Sequence, residues 1–315
     1  MVGLGGLMLT QRDKHTEKTF QNPALGNSEM HQRLVANYTN YFADINNGYL
    51  GYAHHLDSLG TFFGNIQYFN YGTFDGRDET GAFTREFTAA DYQFQLGFSM
   101  PYKGFHIGAS VNFLYSALEA YVGTAGAIDL GGHYEFKDNN GSLGLVVKNL
   151  GSQLIRYYDD GNFEPLPFDV QIQYSKKLAH NPLRFYITAH HLHQWDISYV
   201  NTNTRNQEID LETGEVRTAE VGFGDKLMRH FIVGGELIFG PNFQLRFGYN
   251  DMRRKELSPE ERRGMTGFSW GVSVNIKSFD VSYGSGGFHP GIGTNYFTVS
   301  KNLGDLIKKG KTSVD

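Results

Sequence analysis

The residues most suggestive of chemistry are His190-His191-Leu192-His193-Gln194-Trp195, because alternate imidazoles at His191 and His193 on an extended chain share one face and can chelate a metal. Two rings are a thin ligand set. With Trp195 they continue the face of Phe185, Ile187 and Ala189, which equally fits a belt of amphipathic rings at a membrane interface. Ser, His, Asp and Glu are plentiful, yet Gly-x-Ser-x-Gly is absent and no catalytic residue is singled out. The run Gly284-Ser285-Gly286-Gly287 lacks the Lys and the following helix of a phosphate loop and reads as a strand connection. Arg253-Arg254-Lys255-Glu256 and Arg262-Arg263 make one segment dense in both charges, suited to binding sugar phosphates or a protein partner.

The elements that must position these residues are strands. Tyr 19, Phe 25 and Gly 39 against Pro 8, in 315 residues, favour pleated structure with tight turns. Without cysteine there is no disulfide, thiolate site or Cys nucleophile, no cofactor site is recognised, and a net charge of −5 argues against a nucleic-acid partner. No run of eighteen apolar residues occurs, which excludes a helical span but leaves a membrane barrel open, because barrel strands average lipid-facing with lumen-facing residues. The start at Met1 lacks a basic and then apolar leader and reads as a mature or truncated chain.

Period-two sorting recurs from residue 34 onward. Phe105, Ile107, Ala109, Val111, Phe113 and Tyr115 oppose His106, Gly108, Ser110, Asn112 and Leu114, and Phe268, Trp270, Val272 and Val274 oppose Ser269, Gly271 and Ser273. The pattern predicts fourteen strands at 34–43, 46–55, 60–72, 90–101, 103–117, 125–137, 141–150, 167–177, 182–195, 229–239, 242–252, 267–277, 278–286 and 293–303. Short connections alternate with long ones at 73–89, 118–124, 151–166, 196–228 and 253–266, as in outer-membrane barrels, with both termini on the periplasmic side. The polar faces carry Gln93, Gln95, Asn112, Asp129, His133, Glu135, Lys148, Asp169, Gln171, Arg184, Arg246 and Asp280, predicting a hydrogen-bonded or water-filled lumen. A soluble β-sandwich alternates as well, but seldom uses fourteen long strands. The reading is an all-β transmembrane antiparallel barrel over 34–303, a plug-like or leader segment over 1–33, and a basic periplasmic tail over 304–315. Trp195, Phe268 and Trp270 form the expected aromatic girdle. Trp195, Tyr199, Arg205, Arg253, Arg254, Arg262 and Arg263 are the expected partner-binding residues on outer loops.

Segments spread along the chain carry a resemblance. Gln21-Asn22-Pro23-Ala24-Leu25, Phe69-Asn70-Tyr71-Gly72-Thr73-Phe74-Asp75, Glu164-Pro165-Leu166-Pro167-Phe168-Asp169, the His-rich stretch ending at Asp196, Arg253-Arg254-Lys255-Glu256-Leu257 and Gly267-Phe268-Ser269-Trp270-Gly271 resemble the PorQ family. These are barrels of the Bacteroidetes type IX secretion system within the wider PorV-like and FadL-like group. The resemblance implies a non-enzymatic member of the cell-surface attachment complex. Such a barrel holds a PorZ-like surface protein beside the PorU-like sortase and the PorV-like shuttle, for attachment of cargo to anionic lipopolysaccharide. The alternative within the same group is a FadL-like carrier of hydrophobic solutes, which requires an apolar pocket behind a plug.

Overall fold

A computed structural model of the chain describes residues 2–41, 45–137, 140–158, 161–198, 207–209, 216–218, 221–258, 264–289 and 292–305. Fourteen antiparallel strands close on themselves: β1 (Arg33–Asn40), β2 (Asn46–Leu56), β3 (Gly60–Arg77), β4 (Phe83–Tyr102), β5 (Phe105–Leu118), β6 (Tyr121–Phe136), β7 (Gly141–Ile155), β8 (Asp169–Lys177), β9 (Leu183–Ala189), β12 (Phe231–Ile238), β13 (Phe243–Asn250), β14 (Phe268–Ile276), β15 (Phe279–His289) and β16 (Ile292–Asn302). A separate two-stranded ribbon, β10 (Gln207–Ile209) with β11 (Val216–Thr218), stands outside this wall. Closure runs through β1 and β16, where Arg33 faces Asn302 and Asn40 faces Asn295, so no strand edge is left unpaired for hydrocarbon to meet.

The alternation sorts as the sequence requires. Leu96 and Val111 are 73 % and 62 % exposed on the outside, whereas Gln95 and Ser110, one residue earlier, are almost fully covered on the inside. Of the polar residues expected to face the lumen, Gln95, Asn112, Asp129, His133, Asp169, Gln171, Arg246 and Asp280 are all buried, while Glu135 near one rim stays exposed. Apolar burial is confined to small clusters, such as Leu4 with Met8 and Tyr186, because the large apolar residues face outward.

One end of the barrel holds the two ends of the wall, at Arg33 and Asn302, and the short turns. The β4–β5 turn is only Lys103 and Gly104, both at positive φ, the mirror-image turn that suits twisted hairpins. At the opposite, loop end two expectations change. The segments 73–89 and 118–124 are mostly wall: β3 and β4 run on as a hairpin to Arg77 and Phe83, and β5 and β6 turn within two residues. The expected strand 182–195 instead ends at Ala189, because His191 adopts φ 54° and turns the chain out of the sheet. The loop end is further built by two short helices, α1 (Phe223–Arg229) and α2 (Asp251–Glu256).

The leading segment enters the lumen as a plug of four short 3-10 turns between Val2 and Met30. Leu4, Met8, Leu9, Ala24, Leu25 and Met30 are all buried there. Glycines on the wall admit its backbone: a Cβ on Gly144 would come within 2.2 Å of the Leu9 carbonyl oxygen, and one on Gly108 within 2.4 Å of Pro23.

Candidate functional site

The polar lumen is a seat for the plug. The Leu9 amide donates to Gln173 Oε1 at 2.7 Å, Lys148 Nζ donates to the Phe20 carbonyl at 2.8 Å, and Ser99 Oγ donates to the carbonyls of Ala24 and Gly26 at 3.2 and 3.1 Å. Within the plug, Asn22 of the Asn-Pro-Ala element accepts from the Ala24 amide at 2.9 Å and donates to the Leu9 carbonyl at 2.7 Å. That motif ties the Pro23–Leu25 turn, which faces β5 and β6, to the plug segment at Leu9, which faces β7 and β8. Proline supplies the φ for the turn, and asparagine supplies both the acceptor and the donor.

Charges in this seat are matched. Glu236 is fully buried and accepts from Arg246 Nε at 2.8 Å, Tyr186 Oη at 2.9 Å and Arg184 Nη1 at 3.1 Å. Asp129 meets Lys148 at 3.1 Å, and Asp280 pairs with both Lys14 of the plug and Arg33 of β1. A buried carboxylate without a cation is costly, and these three each have one.

Above the plug, towards the loop end, the wall changes character. A cavity of about 380 Å³ lies between β3, β4, β5, β6, β7 and the segment Glu164–Pro167, lined by Phe69, Tyr71, Leu114, Tyr157, Leu166 and Pro167, while Tyr92 and Tyr115 border it from strand positions whose parity is that of the outward Leu96 and Val111. Gln67, Gln93, Gln153, Ser116, Asp91 and Glu164 supply its polar groups. Gln67 and Phe69 also border a second space of about 200 Å³ that reaches the plug at Gly3, Gly6, Phe20 and Gln21. The two spaces therefore adjoin. The Tyr157 ring rests against Gly123, where a Cβ would approach it to 2.8 Å. Tyr71 Oη donates to Asp91 Oδ2 at 2.6 Å. Below the plug, at the turn end, a polar hollow of about 560 Å³ is bordered by Gln11, Asp13, Arg184 and Gln244.

The residues singled out from the sequence fall elsewhere. Phe268 and Trp270 lie exposed on the outer face of β14, the latter 5.4 Å from the Tyr283 ring, which is in turn 5.1 Å from Phe297. Trp195 sits beyond the end of β9, against Phe223 of α1 at 5.1 Å and His230 at 5.9 Å, so it does not prolong the face of Phe185 and Ile187. His230 faces the carbonyls of His190 at 2.8 Å and Trp195 at 3.0 Å and fastens the base of this excursion. His191 and His193 have rings 6.1 Å apart, and no group of three or more His, Asp or Glu is placed to hold a metal among the described residues.

Arg253 turns inward, stacking on Phe288 at 4.0 Å and donating to the Gly5 carbonyl of the plug at 3.3 Å. Arg254 fastens its own loop through the carbonyls of Gly264 and Thr266 at 2.8 and 3.0 Å. Tyr199, Arg205, Arg262 and Arg263 lie outside the described residues. The sequence reading missed the cavity. Its signal was Phe69 and Tyr71, aromatic residues on the otherwise polar lumen face that carries Asn65 and Gln67.

No protein-family model matches the chain, and no curated protein matches it. Among solved structures it is similar to the "TodX monoaromatic hydrocarbon channel deltaS2 mutant", at 13% identity over 91% of this chain and 92% of that one, with a TM-score of 0.50. It also matches the "CymD monoaromatic hydrocarbon channel" at 12% identity over 95% and 94%, TM-score 0.48. A FadL homologue of Pseudomonas aeruginosa matches at 9% identity over 95% and 96%, TM-score 0.44. What is shared at such identities is the fold: this chain is a plugged fourteen-strand β-barrel of the outer-membrane type.

Proposed function

We propose that this protein is an outer-membrane carrier that receives small apolar or amphipathic solutes at its loop end and passes them inward when the plug shifts. One observation carries the reading: the aromatic cavity of about 380 Å³ opens directly above a plug that fills the lumen. Solute pockets are typically concave, mostly apolar and provided with a few convergent polar groups, and this cavity has that composition. The polar residues of the wall, which at first sight argue for a water-filled pore, are engaged by the plug, as are Gln173, Lys148 and Asp280, or by one another, as are Gln171 with Asp169 and Arg246 with Glu236. They therefore do not oppose a carrier. The likeness to TodX extends to the fold alone, and the solute class rests on the cavity lining.

The test fills the cavity. Ala125 is buried in the cavity lining, and Ala125→Phe puts a bulky ring into that space. Cells carrying the variant are expected to lose uptake of a radiolabelled aromatic solute while the barrel keeps its heat-modifiable gel mobility, which reports folding. Unchanged uptake removes the cavity from the path.

A second reading has its own observation. Phe223, Met228, Leu192 and Trp195, all on or beside the ordered cap at the loop end, are 69 %, 50 %, 48 % and 49 % exposed, a feature of surfaces that meet another molecule. On this reading the chain is a type IX secretion anchor of Bacteroidetes, its loops at the cell surface holding a PorZ-like protein beside PorU-like and PorV-like partners and lipopolysaccharide. Shortening residues 200–224 should then release the partner from a membrane pull-down while the barrel still folds. Retention of the partner by the shortened barrel excludes that loop from the interface.

A further inference from the structure

The carboxylates inside this barrel differ in their partners. Asp129, Glu236 and Asp280, in the plug seat, each have a cation within ion-pair distance. Asp91, in the wall of the loop-end cavity, pairs with no cation among the described residues: its Oδ2 accepts from Tyr71, and its Oδ1 is buried with no hydrogen-bond partner. Glu164 borders the same cavity. No Lys, Arg or His is among the described residues that line it.

From this juxtaposition we infer that the loop-end cavity selects organic cations, a protonated amine carried on an apolar body, over neutral or anionic molecules of the same shape. The inference rests on the proposed carrier reading and names its solute class. Three features converge. The rings of Phe69, Tyr71 and Tyr157 offer π faces, which attract a cation electrostatically, most strongly where water is excluded. An ionised carboxylate accepts up to about four hydrogen bonds, and Asp91, whose one side-chain hydrogen bond comes from Tyr71, keeps acceptor capacity at the cavity wall. With two carboxylates and no basic side chain around it, the space repels an anionic solute such as a fatty acid. A plain hydrocarbon would fill the volume and leave Asp91 unpaired.

The position of the Tyr157 ring also depends on the sequence. It lies across Gly123, and any larger residue at that position pushes the ring into the cavity. Tyr71 is held by its own hydrogen bond to Asp91, so the two groups that meet an ammonium are fixed relative to each other before it binds.

The experiment measures equilibrium binding to the full-length barrel in lipid nanodiscs, with empty nanodiscs subtracted, for benzylammonium, its neutral isostere ethylbenzene and the anion benzoate. Benzylammonium should bind about tenfold or more tighter than ethylbenzene, the scale of one well-placed charge pair in a partly desolvated site, and benzoate weakest. Asp91→Asn keeps an acceptor for Tyr71 and should bring benzylammonium and ethylbenzene to within about twofold of each other. Glu164→Gln, at an exposed position, provides a second variant that does not risk the wall and should reduce the preference partially. Ethylbenzene binding as tightly as benzylammonium, or a preference that survives both substitutions, overturns the cation assignment and leaves the carrier reading standing. If none of the three probes binds above the empty nanodiscs, the cavity is no solute site and both readings fall.

Discussion

The two halves of the barrel wall are built to different heights. From β3 to β7 the strands have 18, 20, 14, 16 and 15 residues, well beyond the roughly 9–11 that cross a bilayer. Around the rest of the wall, from β8 to β2, they have 7 to 11. The tall half encloses the aromatic cavity and carries an unpaired carboxylate. The short half holds Arg184, Tyr186, Glu236 and Arg246 in one closed network and is topped by α1 and α2. The difference separates two surroundings: in the short half Arg184, Glu236 and Arg246 close on one another beside the plug, and in the tall half Asp91 and Glu164 border a space lined by no basic side chain among the described residues.

The largest effect should come from the closed network. Glu236→Ala leaves Arg184 and Arg246 buried without their shared carboxylate and should cost on the order of 3–5 kcal/mol, read from the denaturant midpoint of the barrel in micelles. A loss under about 1 kcal/mol would show that the network is not what holds the short half, and the contrast between the halves would fail.

The next effect concerns the face both halves share. Val111, midway along β5 and 62 % exposed, points outward, and Val111→Arg should cost about 2–4 kcal/mol if that face meets the middle of a bilayer. The same substitution in a soluble barrel would be nearly neutral. Equal stability of the variant in lipid would therefore exclude a membrane-spanning wall at this strand.

The smallest effect lies at the cap of the short half. His190 follows the last residue of β9 and is 2 % exposed. Burial, helped by the neighbouring His191, lowers its pKa to about 4. A depressed folded-state value means that the neutral ring is the stable one. Its contribution is fully present above the unfolded value of about 6.5 and is lost as the pH falls through about 4. Hydrogen-exchange protection factors at residues 190–198 and 223–230, taken relative to the intrinsic amide rate at each pH, should fall between pH 6.5 and 4.5, and His190→Gln should flatten that dependence. Protection factors that rise on acidification would reverse the sign.

The wall was legible in the sequence because lipid outside and polar contacts inside force a period of two, and all fourteen barrel strands were found. The upper part of the tall half was not. Beyond the bilayer both faces of a strand meet water, so Asp75, Arg77, Arg85 and Glu86 show no alternation, and the bulge between Asn70 and Thr73 shifts the register. The histidine stretch misled for a related reason. Its alternation continues that of β9, but nothing in residue type announces the positive φ at His191. As for the cavity, its residues come from five strands and one loop, and only closure of the barrel brings them together. Phe69 and Tyr71 on a polar face were the sole local hint.

Whether the space above the plug receives a solute is read most directly from a crystal structure of the barrel soaked with 4-bromobenzylammonium, its bromine located by anomalous scattering. Bromine is expected among Phe69, Tyr71 and Tyr157, with the ammonium group of the same molecule directed at Asp91. Bromine found only along the outer, lipid-facing wall, with none in the cavity, would contradict the carrier proposal.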